Sequence, residues 1–169
     1  MILLNSFPKN MDKFPRLIEF CKEVLDICRD LDISPILEGS LAVFAYTGNQ
    51  DLSVNDVDFA CSEKEFPKII AALETRSIGY KLKEWHVLQV WKEDLKVELD
   101  SIEYWYKGLS LVAETLQIGD HKINMLNLNS LKEFYRRGMK DTVNKTEENE
   151  RRKYEGLRVK YEALEKVKG

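Results

Sequence analysis

The chain has 169 residues, 44% of them apolar and 33% charged, which is enough to bury a core without disulfides and too apolar for a disordered protein. A formal net charge of −3 and a pI of about 5.6 argue against a dedicated nucleic-acid binder; nucleic acid is a partner that charge does not indicate. No run approaches the roughly 18 apolar residues of a membrane span, and MILLNSFPKN lacks the basic start and apolar length of a secretory leader, so a reducing cytoplasm is the expected compartment.

Apolar positions at Leu17, Phe20, Val24, Ile27 and Leu31 predict a helix over 13–31, with Pro15 tolerated in its first turn. Three cysteines, Cys21, Cys28 and Cys61, lack metal-ligand spacing and leave one unpaired in any disulfide scheme; Cys21 and Cys28 share the helical stripe and read as core. Ser34-Pro35 follows as a break, Ile36-Leu37 reads as a short strand, and Gly39-Ser40 as a sharp turn into a buried helix over Leu41–Tyr46. A polar loop leads to a strand at Val57–Cys61, and Ser62-Glu63-Lys64-Glu65 spells a capping box for a helix ending near Thr75.

Three strands are predicted next: Tyr80–Trp85, Val87–Trp91 and Leu95–Ile102, the last two joined by a tight turn. Residues 103–122 fit a loop, a short helix and part of a hairpin, and Ile123–Leu126 a last strand. Ser130 to Glu133 spells a second capping box whose helix is expected to stop near Gly138. The tail, Lys145 to Lys168, is a charged helix with one apolar stripe, Tyr154, Leu157, Tyr161 and Leu164, whose near-heptad spacing suits either the core or a homodimer seam. The expectation is an α+β (α/β) fold: a mixed sheet flanked by helices over 1–128, and C-terminal helices over 129–169 packed on it as one structural domain.

Two features suggest chemistry. A strand that turns at Gly39-Ser40 into a helix aims backbone N–H groups and the helix dipole at whatever sits in the turn, and glycine admits a phosphate closely. On a strand, Asp56 and Asp58 project from the face opposite Val57 and Phe59, and like charges so placed call for a cation between them, for which Mg²⁺ suits oxygen ligands. Asp30-Leu31-Asp32 has the same spacing but sits at a helix end, where it reads as termination. On the strand 95–102, Glu98 and Asp100 share a face; beside the Asp56/Asp58 strand, one of them completes a three-carboxylate cluster able to hold two metals roughly 3.5–4 Å apart for in-line phosphoryl displacement.

In this order of Gly39-Ser40, Asp56-Val57-Asp58-Phe59 and a later strand carrying Asp100, the chain resembles the nucleotidyltransferase superfamily of the DNA polymerase β type. The lincosamide and aminoglycoside nucleotidyltransferases and the minimal nucleotidyltransferase antitoxins are the nearest in flavour. The resemblance implies that Gly39 and Ser40 bind a nucleoside triphosphate and that Asp56 and Asp58 ligate Mg²⁺, with two ions. It makes Asp100 a metal ligand or the base for an acceptor hydroxyl, preferred over Glu98. A basic residue near the phosphates is also implied, with Lys140, Arg152 and Lys153 as candidates. The expected reaction moves a nucleoside monophosphate to an unidentified acceptor hydroxyl with release of pyrophosphate; the alternative is a fold that has lost catalysis and serves as a binding or antitoxin-like module. In the resembled systems a partner RNase toxin carries an arginine shortly before a histidine; none precedes His86 or His121 so, which casts this chain as the transferase-like member of any such pair.

Other signals are weaker. His86 beside Trp85 is expected to be an ordinary sheet histidine rather than a substrate contact, and His121 to sit in a hairpin turn. With two histidines, zinc is not expected. The aromatics Trp85, Trp91, Tyr104, Trp105 and Tyr106 read as sheet packing ahead of a base-stacking platform.

Overall fold

The helical spacing of Leu17, Phe20, Cys21, Val24, Ile27 and Cys28 buries one face of the first helix, α1 (Phe14–Asp30), in a computed structural model that describes residues 1–9, 12–142 and 147–169. Asp32, in the left-handed region at φ 59°, ends it, so Asp30-Leu31-Asp32 is the terminator expected. The strands are β1 (Ile2–Leu3), β2 (Ile36–Glu38), β3 (Val57–Cys61), β4 (Gly79–Lys83), β5 (Val87–Lys92), β6 (Leu95–Ser101), β7 (Ala113–Ile118) and β8 (His121–Leu126). They form one mixed eight-stranded sheet in the order β1-β7-β8-β2-β3-β6-β5-β4. The other helices are α2 (Gly39–Thr47), α3 (Phe66–Thr75), the short α4 (Ile102–Trp105), α5 (Leu128–Thr142) and α6 (Glu148–Glu165). This is the mixed α/β architecture with flanking helices that the pattern predicts.

Alternation along the central strands assigns their faces. In β6, Leu95, Val97, Leu99 and Ser101 are buried while Lys96, Glu98 and Asp100 are partly exposed; in β3, Val57, Phe59 and Cys61 are buried. Cys28 of α1 lies close enough to Cys61 to affect its ionisation, so α1 covers the apolar face. Burial pushes all three thiols up to about 12, which leaves them inert core groups.

Neither sequence-predicted capping box forms. Ser62 Oγ donates instead to Glu103 Oε1 at 2.5 Å, Glu63–Glu65 makes one 3-10 turn, and the α-helix starts only at Phe66 with Pro67 in its first turn. Ser130 already lies inside α5. There Asn127 Oδ1 accepts from the Ser130 backbone N–H at 2.8 Å, while Ser130 Oγ bridges Val112 N and Ser110 O. A box needs its hydroxyl free for its own helix, and tertiary partners took both.

Gly138 does not stop α5, which runs on to Thr142: a Cβ there would stand 3.1 Å from Leu157 Cδ1, so glycine lets α6 approach. Lys145 and its neighbours 143, 144 and 146 lie outside the described residues, and α6 begins at Glu148. Its stripe turns inward: Leu164 is fully buried, and Leu157 and Tyr161 pack on the same core as Leu131 and Tyr135 of α5. The strand expected to reach Trp85 ends at Lys83, because His86 takes a left-handed conformation at φ 63° in the turn before β5; His86 is thus a turn residue and His121 opens β8.

Because α6 is held by this intramolecular contact, Leu164→Ala should cost about 2–5 kcal/mol in denaturant unfolding. A loss below about 1 kcal/mol would mean that α6 does not pack as described.

Candidate active site

The acids stand on three adjoining strands. β2 ends at Glu38, which lies opposite Asp58 of the antiparallel β3; β6 runs parallel to β3 with Glu98 opposite Asp58 and Asp100 opposite Ala60. Glu38, Asp58 and Glu98 therefore form one row across the sheet, and Asp100 stands one alternation further along the same face. Asp56 precedes β3 on the other side of that row and reaches Lys96 Nζ at 3.2 Å; Lys96 also holds Glu98 at 2.9 Å. The structure thus brings Asp56, Asp58, Glu98 and Asp100 onto one face.

Gly39 follows Glu38 directly, at φ 69°, and heads α2. A Cβ at this position would overlap the Asp58 carboxylate, so glycine is required both by backbone conformation and by the acid seated against it. The sequence-level pairing of a glycine turn with an acid pair is here a direct contact. Ser40 lies in the first turn of α2 and is 9% exposed.

These residues border a cleft of about 460 Å³ between the sheet and the α5–α6 pair, lined by Glu38, Gly39, Asp58, Glu98, Asp100, Tyr135, Lys153 and Lys160, with an aromatic side formed by Trp85, Trp105 and Phe134. Lys153, expected near the phosphates, lines it. Lys140, in the last turn of α5, and Arg152, paired with Glu148, are exposed and do not line it.

Burial is the main electrostatic fact. It raises Asp58 well above the ordinary carboxyl range, reinforced by the charges of Asp56, Asp100 and Glu98 and opposed by Lys160. Burial likewise raises Asp100. Glu38, 1% exposed, is raised by burial and then by Asp100; the Tyr106 hydroxyl donates to its Oε2, while its buried Oε1 has no donor among the described residues. A proton kept on Glu38 lets it donate to an ionised Asp100, whose affinity for protons that bond lowers. Lys96 loses by burial, yet its bonds to Glu98 and Asp56 leave it above its usual value.

All the acids offer hard oxygen donors, the donor chemistry a magnesium ion favours. Among the described residues no three acidic, histidine or cysteine side chains are already gathered around a single metal position, and Asp56 is paired with Lys96. Glu38, Lys96, Tyr135 and Lys160 were not singled out from sequence, and Tyr106 was read only as a packing aromatic. Glu38 was readable as the last strand residue before Gly39, and Lys160 as seven residues, two helical turns, beyond Lys153.

Carboxyls whose folded pKa is raised stabilise the fold below their unfolded values, and that contribution is lost as pH rises through the folded pKa. Glu38, Asp58 and Asp100 all shift this way, so metal-free protein should melt lower at pH 8 than at pH 5 on their account. Asp58→Asn and Glu38→Gln should each raise the melting temperature at pH 8 by at least about 2 °C, and by less at pH 5. Equal gains at both pH values would show that charge repulsion is not the cause.

No protein-family model and no curated protein sequence matches the chain. Solved structures do. The antibiotic-resistance factor ANT(2'')-Ia, in its solution structure, aligns over 91% of this chain and 90% of its own with a TM-score of 0.58 and 13% identity. The lincosamide antibiotic adenylyltransferase LnuA, bound to lincomycin, aligns over 83% and 95% with a TM-score of 0.53 and 14% identity. A nucleotidyltransferase-like protein from Paracoccidioides brasiliensis aligns over 85% and 76% with a TM-score of 0.57 and 10% identity. At such identities the likeness is one of backbone architecture, and on that ground the chain has the nucleotidyltransferase fold.

Proposed function

We propose that this chain is a Mg²⁺-dependent nucleotidyltransferase that moves a nucleoside monophosphate from a nucleoside triphosphate to an acceptor hydroxyl and releases pyrophosphate. The observation that carries the reading is the seating of Asp58 against Gly39, with Asp100 one alternation away on β6, within a nucleotidyltransferase fold. The neighbours' names, an antibiotic-resistance factor and a lincosamide adenylyltransferase, support the same class.

In this reading the Gly39-Ser40 turn at the head of α2 receives the triphosphate, and Lys153 and Lys160, facing the cleft from α6, offset its charge. Asp56, Asp58 and Asp100 would hold two magnesium ions, which supply charge neutralisation at the phosphates. The acceptor oxygen attacks the α-phosphorus, the bond from that phosphorus to the pyrophosphate oxygen breaks, and the hydroxyl proton passes to Asp100. Glu38, whose proton affinity burial and Asp100 raise, would when protonated donate to Asp100 and keep its carboxylate aimed into the cleft. No covalent enzyme intermediate is required; positioning and charge account for the rate.

Among the described residues no helix is long and apolar enough to cross a membrane. We place the protein in the cytoplasm, with a nucleoside triphosphate and a hydroxyl acceptor as its partners.

A second reading, a fold kept for binding after loss of catalysis, is favoured by Lys96, which spans Asp56 and Glu98 where a metal ion would need their oxygens. Titration calorimetry with ATP separates the two together with a pyrophosphate-release assay. Wild type should bind ATP in the presence of Mg²⁺ and not in its absence, and Asp58→Asn should lower turnover by about 10²-fold or more. Lys160→Ala should weaken nucleotide binding with the acids intact. Absence of Mg²⁺-dependent binding by wild type would overturn the enzyme reading; binding without turnover, whatever the acceptor, would favour the second.

A further inference from the structure

Trp85 and Trp105 stand at the end of the cleft opposite the phosphate turn, and the pairing of the strands gives their order. Starting from Gly39, the sheet face presents the row Glu38, Asp58 and Glu98, then Asp100 opposite Val87, and then the turn before β5 that carries Trp85. Each alternation advances about 7 Å, so the indoles lie beyond Asp100 on the side away from Gly39.

This aromatic end is rigidly built. The Trp105 indole N–H donates to the Trp85 carbonyl at 3.0 Å. The adjoining His86 is stacked on Tyr104 with ring centroids 4.2 Å apart, and its Nδ1 lies 2.9 Å from Glu63 Oε1. Glu63 also accepts from the buried Ser101 hydroxyl at 2.8 Å, which ties the turn to the end of β6. The Ser101 N–H donates to the His86 carbonyl at 3.0 Å. A left-handed histidine is held there by three separate contacts, with Tyr104, Glu63 and the Ser101 N–H. Yet Trp85 stays 51% exposed, with Lys83 Nζ 5.4 Å from its ring centroid. Packing alone would not explain two indoles bordering a polar cleft, one held by its N–H and the other on an anchored turn, whereas a ligand with a flat face would cover them.

We infer that Trp85 and Trp105, with Val87 and Phe134, form the acceptor subsite of the site described above, and that it takes a neutral or cationic alcohol whose hydroxyl is carried on or beside a flat ring. The inference rests on the transferase reading. Stacked on the indoles, such a ring would place its hydroxyl toward Asp100, the acid of the cleft at that end of the row. Acceptors carrying phosphate or carboxylate on the side of the ring that faces the sheet would meet Glu98 and Asp100 and be excluded. The flat face can belong to an aromatic ring or to the C–H side of a sugar, and the probes separate these.

Saturation-transfer NMR on the full chain, with 4-hydroxybenzyl alcohol, methyl α-D-glucopyranoside and glycerol as probes, tests this without any need for turnover. At least one ring probe should receive saturation and glycerol should not. Trp85→Ala and Trp105→Ala should each weaken ring binding by about tenfold, and Trp85→Phe should restore most of it. Adding ATP with Mg²⁺ should leave the ring probe bound. Displacement by ATP would assign the indoles to the nucleobase and overturn the inference, as would equal binding of glycerol or no effect of either alanine. A wild type that binds the ring probe but shows no Mg²⁺-dependent ATP binding would instead fail the transferase reading and leave a ring-binding cleft.

Discussion

The arrangement of this protein's cleft follows from one unfavourable interaction: carboxyl groups crowded on three neighbouring strands. Glu38 and Asp58 face each other across β2 and β3, Glu98 faces Asp58 across β3 and β6, and Asp100 stands next along β6. Charges this close in a partly dry site repel strongly, and the surroundings answer group by group. Tyr106 donates to Glu38, Lys96 spans Asp56 and Glu98, and Lys160 of α6 acts on Asp58. Gly39 leaves room for the Asp58 carboxylate by having no side chain at all.

A cluster kept at such a cost to stability fits the proposed site for cations and phosphates, since stability given up at a functional centre is a common exchange. The architecture explains how the cost is borne. The opposite face of β3 and β6 is apolar but for Ser101 at its end and sits under α1, so the strands that carry the acids are also among the best anchored. The α5–α6 pair then closes the cleft from above and supplies its lysines, and Gly138 sets how closely those helices approach.

Much of this was legible from local pattern. Alternation placed Val57, Phe59, Val97 and Leu99 in the core and their neighbours on the acid face, and the helical stripe of α1 holds for Leu17, Phe20, Val24 and Ile27, while Leu31 falls just past the helix end and is only partly buried. What misled was local capping chemistry. Ser62 and Ser130 have the right spacing for capping boxes, but Ser62 bonds to Glu103 and Ser130 to the Ser110–Val112 segment, partners far along the chain. Gly138 looked like a helix end because its use, contact with Leu157, is also distant in sequence.

By itself the sequence determined which residues alternate on which strand, where α1 must end, and that a glycine turn precedes an acid pair; these depend on backbone periodicity and on steric rules within a few residues. Only the tertiary structure decided that Gly39 touches Asp58, that β6 lies beside β3 rather than elsewhere in the sheet, and that Glu38 belongs with the acids. It also chose Lys153 and Lys160 over Lys140 as the cleft's cations, and put Trp85 and Trp105 at its far end. Strand order and helix docking are settled by burial of apolar area summed over the whole chain, a quantity no short stretch of sequence contains.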